Sequence, residues 1–137
     1  MLGDLTNPEP ILANPAIDYT KPIGLLMVAV LHFIPEDANP RAAVARYLDA
    51  LPSGSYVALS HGVERTSIPG SEVDRLYEQS ANPGVRRTVD EVMAFFGDLE
   101  LVEPGLVWTP QWRPESQDDV LDDPASALVM AGVARKP

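Results

Sequence analysis

The stretch PIGLLMVAVLHFIPE, Pro22 to Glu36, decides how this chain is read. Its first part, Ile23 to Val30, is an unbroken apolar run with no charge and only Gly24 as a small interruption. Continuous rather than alternating hydrophobicity predicts a strand buried on both faces, as in a parallel sheet covered by helices. The run is too short to cross a membrane as a helix, which takes about 20 residues. Polarity returns at Leu31-His32-Phe33-Ile34-Pro35-Glu36. Pro35 cannot donate to a sheet ladder, so the strand must end before it. In open α/β sheets ligands sit outside the carboxyl ends of the strands, which puts His32 where chemistry is expected.

Working outward, the following residues predict a helix from Asn39-Pro40 to about Leu51. Ala43, Val44, Tyr47, Leu48 and Leu51 recur at helical spacing and form one apolar face. Pro52-Ser53-Gly54-Ser55 turns the chain into a second short strand, Tyr56 to Ser60, with His61-Gly62 expected just past its carboxyl end. Strand, helix, strand at this spacing is a βαβ unit. Towards the N-terminus, Asn7 and Pro8 open a short helix carrying Ile11 and Leu12, which Asn14-Pro15 should stop. Further along, Pro69-Gly70 marks a turn. Ser71 with Asp74 predicts a helix to about Ser80, its buried stripe Val73, Leu76 and Tyr77, broken by Asn82-Pro83-Gly84. Thr88 with Glu91 is a capping box for another helix, with Val89, Val92, Met93, Phe95 and Phe96 on its core side and Gly97 ending it. Leu99 to Val107 reads as a strand interrupted at Pro104-Gly105. Trp108 to Asp123 reads as a polar loop whose Asp118, Asp119, Asp122 and Asp123 form a solvated surface. Ala127 to Ala134 is the last strand.

Composition narrows the function classes. The 137 residues carry a net charge of −10, 45% hydrophobic content and no cysteine. That length supports one domain with a real core. Excess acidity argues against a nucleic-acid backbone as partner, because that needs clustered Lys and Arg. Without cysteine there are no disulfides, no thiolate catalysis and no Cys-ligated zinc. No charged segment followed by an apolar core opens the chain, so no signal peptide is expected, and a cytoplasmic placement is. No repeat and no low-complexity tract is visible.

The two histidines, His32 and His61, both stand on the predicted ligand side. Imidazole titrates near pH 6.5, so either could act as a general base; equally, each could hydrogen-bond a loop carbonyl. Asp4 or Glu36 could complete a metal site with them, but no HxH or HExxH spacing supports one, and none is expected. Asp4 reads most simply as a turn or cap residue. Trp108, Trp112 and Arg113 could cover a substrate or anchor their loop to the sheet.

VAVLHFIPE resembles the fourth strand and following loop of class I S-adenosylmethionine (SAM) dependent methyltransferases. GDLTNPEPIL, GSYVALSH, FFGDLELVEPGLV, WRP and the closing AGVARKP, in that order and spacing, are similar to the C-terminal half of a group of actinomycete proteins known only as SAM-dependent methyltransferases. The resemblance implies an α/β fold: the C-terminal half of a Rossmann-like sheet, mostly parallel with a final antiparallel strand, and helices on both faces. It implies one partial domain over residues 1–137, with no GxGxxG-like stretch before the first strand. The cofactor implied is SAM. Asp4 and Leu5 then lie beside its adenine, and Val30, Leu31 and His32 line its pocket. His61, one strand further out, is the catalytic candidate. A small-molecule methyl acceptor is implied, with no nucleic acid and no membrane. In the family's sheet order the Ile23–Val30 strand would have an open edge, so self-association or pairing with an N-terminal half is expected. Methyl transfer needs mainly alignment of acceptor, carbon and sulfur, so the lack of a catalytic signature does not argue against it. The competing classes are a truncated, non-catalytic half-domain that binds a partner, and an unrelated α/β protein.

Overall fold

The computed structural model describes residues 2–64, 84–120 and 122–137. The helix expected over Ser71–Ser80, its stripe and the Pro69-Gly70 turn lie outside these residues. Strand β2 (Tyr56–Gly62) and strand β5 (Val129–Arg135) form the spine of the sheet, antiparallel in a register that sets Val57 opposite Ala134, Leu59 opposite Gly132 and His61 opposite Met130. On the far side of β2 lies β1 (Gly24–Met27), parallel to it. On the far side of β5 lie two short antiparallel strands, β3 (Glu100–Leu101) and β4 (Val107–Trp108). The Pro104-Gly105 interruption expected from sequence separates them. The α/β class, the parallel first pair and the antiparallel final strand follow the sequence.

Alternation along β2 turns Val57, Leu59 and His61 to one face. That face receives helix α2 (Pro40–Ala50) and helix α3 (Val89–Ala94). All five apolar positions expected to form one face of α2 are buried. Asn39 caps the helix, its side chain accepting from the Ala42 N–H, and Lys136 closes the other end by donating to the Leu48 and Asp49 carbonyls. The Thr88–Glu91 capping box forms as expected. Val92, Phe95 and Phe96 are buried, whereas Val89 and Met93 are exposed: α3 spans only six residues and buries one side. Phe96 reaches across to β5, its ring carbon 3.1 Å from where a Cβ on Gly132 would stand. The short helix α1 (Pro8–Leu12) packs Ile11 and Leu12 against the same core.

Two expectations for the first strand are corrected. It runs only over Gly24–Met27, because Ala29 takes a positive φ of 52° and gives its N–H to the Ser60 hydroxyl at 2.9 Å. It is also not buried on both faces. Met27 is in the core, but Leu26 is 71% and Val28 60% exposed, and no described residue covers that side. The loop from Trp108 to Asp123 is likewise more structured than expected: Trp108 belongs to β4, and short 3-10 turns punctuate the rest.

Candidate acceptor site at the carboxyl end of the sheet

The chain leaves β1 through the Ala29 turn and enters a 3-10 turn, Leu31–Phe33, which packs Leu31 and His32 inward. His32 Nδ1 accepts the Gly62 N–H at 3.2 Å. A neutral ring in this arrangement carries its proton on Nε2. Burial holds the His32 pKa below its ordinary value, with the Arg86 and Arg87 charges acting in the same direction.

His61 is not past the strand, as expected, but inside it, and fully buried. β2 continues to Gly62 because β5 pairs with it along its whole length, through Gly62 opposite Val129. The ring stacks on Phe95 at 5.8 Å between centroids and meets the His32 ring edge-on at 5.5 Å. Its Nδ1 lies 2.6 Å from the Gly62 carbonyl and its Nε2 lies 2.8 Å from Arg87 Nη1. Arginine can only donate, so Nε2 accepts and Nδ1–H donates: a neutral imidazole with both nitrogens engaged. Burial pushes its pKa down to about 4; the Gly62 bond opposes the shift, and the Arg87 charge adds to it.

Arg87, which sequence reading passed over, organises this end of the sheet. It is 1% exposed. Its Nε donates to Glu36 at 2.6 Å, Nη1 to the Leu31 carbonyl at 3.0 Å, and Nη2 to the Ile34 carbonyl at 2.8 Å. One guanidinium thus fastens the whole loop after β1 while facing the Phe95 ring. A signal was present in the sequence. Arg87 occupies the position before the Thr88 cap, where a helix usually places an apolar residue against its fourth position, here Val92.

Leu31, His32 and His61 are therefore brought together. The Leu31 side chain is wholly in the core, and its carbonyl is held by Arg87. Val30 packs partly against the core. Asp4 is exposed and closes a turn, accepting from the Thr6 hydroxyl and N–H; the hydroxyl bond is the larger cause holding its carboxyl below the ordinary range. Leu5 is fastened to α2 by the Tyr47 hydroxyl, which donates to its carbonyl. An exposed carboxylate, which can only accept, beside a half-buried leucine would suit the exocyclic amine of an adenine, which donates. Trp112 and Arg113 anchor their loop: the guanidinium lies over the indole and donates to the Glu103 carbonyl.

Beside His32 opens a pocket of about 100 Å³. His32 and Gly62 come from the carboxyl ends of β1 and β2, Gly84–Arg86 from the segment ahead of α3, and Ala127–Val129 from the turn into β5. Among the described residues no cluster of His, Asp or Glu is placed to hold a metal. No described helix is long and apolar enough to cross a membrane.

A βαβ unit closed by an antiparallel strand, with its loops gathered at the carboxyl end, is the frame of a class I SAM-dependent methyltransferase. Over residues 1–137 the chain matches the family described as S-adenosyl methyltransferase, and it belongs to that family. It is similar to a candidate methyltransferase from Thermobifida fusca, with 36% identity and a TM-score of 0.83 over 98% of this chain and 52% of that one. A DUF574 family protein from Streptomyces avermitilis is 34% identical, with a TM-score of 0.86 over 98% and 53% of the two chains. The chain thus spans about half the length of these relatives. Human N-acetylserotonin methyltransferase, solved with SAM, shares the fold alone, at 14% identity and a TM-score of 0.53 over 99% of this chain and 33% of that one. No curated protein matches.

Proposed function

We propose that this chain forms the acceptor-side half of a SAM-dependent methyltransferase that modifies a small molecule. The observation that carries this reading is the pocket at the carboxyl end of the parallel pair, where the loops after β1 and β2 meet the turn into β5. In open α/β sheets that is the ligand end. Asp4, Leu5, Val30 and the backbone at Leu31 would face the adenine side, and His32 would stand between cofactor and acceptor. SAM, when bound, supplies the activated methyl; the chain's own residues orient the acceptor and exclude water. His61 acts in this reading through its neighbours. Its neutral ring holds the Gly62 carbonyl and accepts from Arg87, which fixes both the His32 partner and the loop.

The test is a chimera in which this chain replaces the corresponding half of the Thermobifida fusca relative. The chimera should bind SAM in calorimetry and turn it over against a panel of small hydroxyl, amine and carboxylate acceptors. Asp4→Ala should weaken SAM binding by ~0.5–1.5 kcal/mol, the worth of one hydrogen bond. Asp18 closes the same kind of turn on Thr20, so Asp18→Ala is a matched control for the lost turn and should leave affinity unchanged. A chimera that folds but neither binds nor consumes SAM, or equal affinities for the two variants, refutes the reading.

A further inference from the structure

Four non-glycine residues among those described take a positive φ: Ala29, Asn39, Arg113 and Leu128. L side chains rarely adopt that region, and asparagine does so more readily than most. Asn39 therefore has a tolerant side chain, which also caps α2. Ala29 carries the smallest side chain of the four and gives its N–H to Ser60. Arg113 turns its guanidinium to the Glu103 carbonyl. Leu128 is different. It ends the 3-10 turn Pro124–Ala127 at φ 58° and ψ 4°, its N–H donating to the Ala125 carbonyl and its own carbonyl accepting from the Val63 N–H. A glycine would make both backbone bonds equally well and without the strain. The leucine side chain needs a reason of its own.

Core packing does not supply that reason. Leu128 is half-buried, and it belongs neither to the core cluster nor to the half-buried residues packed on that cluster. Instead it lines the pocket beside His32, together with Val85, Ala127 and Val129. Residues held in costly backbone conformations gather at ligand sites, where the placing of the side chain matters. Glycine at this position would relax the backbone and open the wall; leucine closes it with hydrocarbon. A cavity of ~150 Å³ lined by such side chains takes a benzene ring. This pocket measures about 100 Å³, so the group it receives is apolar and no larger than one ring. Resting on the acceptor-side reading above, we infer that Leu128 sets acceptor specificity: its side chain packs on the apolar, ring-sized end of a small molecule and shuts out a larger one.

Benzyl alcohol and the two-ring 2-naphthylmethanol test this. The 137-residue chain is titrated with each while its backbone amides are followed by nitrogen-15 NMR. Benzyl alcohol should shift the Gly62, Val85 and Val129 amides saturably, and the larger probe should bind about tenfold more weakly. Leu128→Gly should reverse that order, weakening benzyl alcohol about tenfold and admitting 2-naphthylmethanol. Leu128→Met, which keeps an apolar side chain of similar reach, should retain the wild-type order. In thermal melts Leu128→Gly should stay within a few degrees of wild type and above Leu128→Ala, which keeps the strain without the wall. If Leu128→Gly unfolds, or melts below Leu128→Ala, the leucine serves the fold and the inference is overturned. If it folds and the order of the probes is unchanged, Leu128 is not the selector, while saturable binding of benzyl alcohol leaves the acceptor pocket standing. If neither probe shifts these amides in wild type, the pocket takes no apolar ring and the inference falls, whereas the half-domain reading is judged separately by SAM binding in the chimera.

Discussion

A single buried guanidinium fixes the loop that the proposed acceptor site depends on. Arg87 offers its rigid fork to two loop carbonyls, one carboxylate and one imidazole, none of which a lysine ammonium could reach together. Arg87→Lys should therefore cost on the order of 3 kcal/mol, because it strands buried acceptors, and urea denaturation measures it. Native-state hydrogen exchange should then quicken at the Phe33 and Ile34 amides first, since these close the turn that Arg87 holds. His61 gives a pH signature to the same network. Its pKa falls from 6.5 unfolded to about 4 folded, so the folded state binds fewer protons between those values. Its stabilising effect is full above pH 6.5 and is lost as pH falls towards 4. The loss amounts to about 2 kcal/mol by pH 5 for a shift of this size. Wild type should lose that much more stability between pH 7.5 and pH 5 than His61→Asn does. Parallel pH profiles for the two proteins would show that the ring titrates normally and that its bond to Arg87 is not held in solution.

At the level of elements, what was legible in the sequence was whatever local chemistry decides. Helix α2 was readable because Ala43, Val44, Tyr47, Leu48 and Leu51 repeat on one face, and Asn39 and Thr88 announce their caps. The end of β1 was not readable. Its break lies at Ala29, a residue with no bias towards positive φ, and the cause is a long-range bond to Ser60. Arg87 was missed for the same reason: its partners Leu31, Ile34, Glu36 and His61 are remote in sequence, so only the assembled sheet makes them neighbours. The sequence placed Leu31, His32 and His61 at or just past strand ends, and the fold brings these three together there. Unbroken apolarity over Ile23–Val30 concealed the fact that alternate residues differ in burial. Met27 is 2% exposed and Leu26 is 71% exposed. Leu26→Lys should therefore leave the melting temperature within a few degrees of wild type, whereas Met27→Lys should unfold the chain, because it buries an unpaired charge. Equal losses in the two variants would mean that the Leu26 face is covered in solution.

On the scale of the whole molecule, two features oppose each other. β1 ends the sheet among the described residues, with Leu26 and Val28 exposed beside it and Phe33 partly exposed beyond. An open strand edge with apolar side chains recruits other backbone groups. Against this stands a net charge of −10 on every copy, which repels a second one. Salt separates the two terms, because screening removes the repulsion and leaves backbone pairing and apolar burial untouched. Since the chain spans about half of its relatives, the occupant proposed for this edge is the remaining part of such a domain; a second copy is the substitute when that part is absent. Alone, the chain should bind SAM poorly, as its sequence carries no glycine-rich turn before β1, and a micromolar dissociation constant by calorimetry would contradict this. Its apparent mass by light scattering after size exclusion should rise with concentration, and rise further from 50 mM to 500 mM salt. Leu26→Lys should suppress that rise by placing like charges face to face at the edge. Supplying the N-terminal half of the Thermobifida fusca relative in trans should convert the associated species into one heterodimer and restore SAM binding. A chain that stays monomeric at every concentration and salt, melts cooperatively and ignores the added half would show that the edge is satisfied within the chain, and the proposal for its occupant would fall.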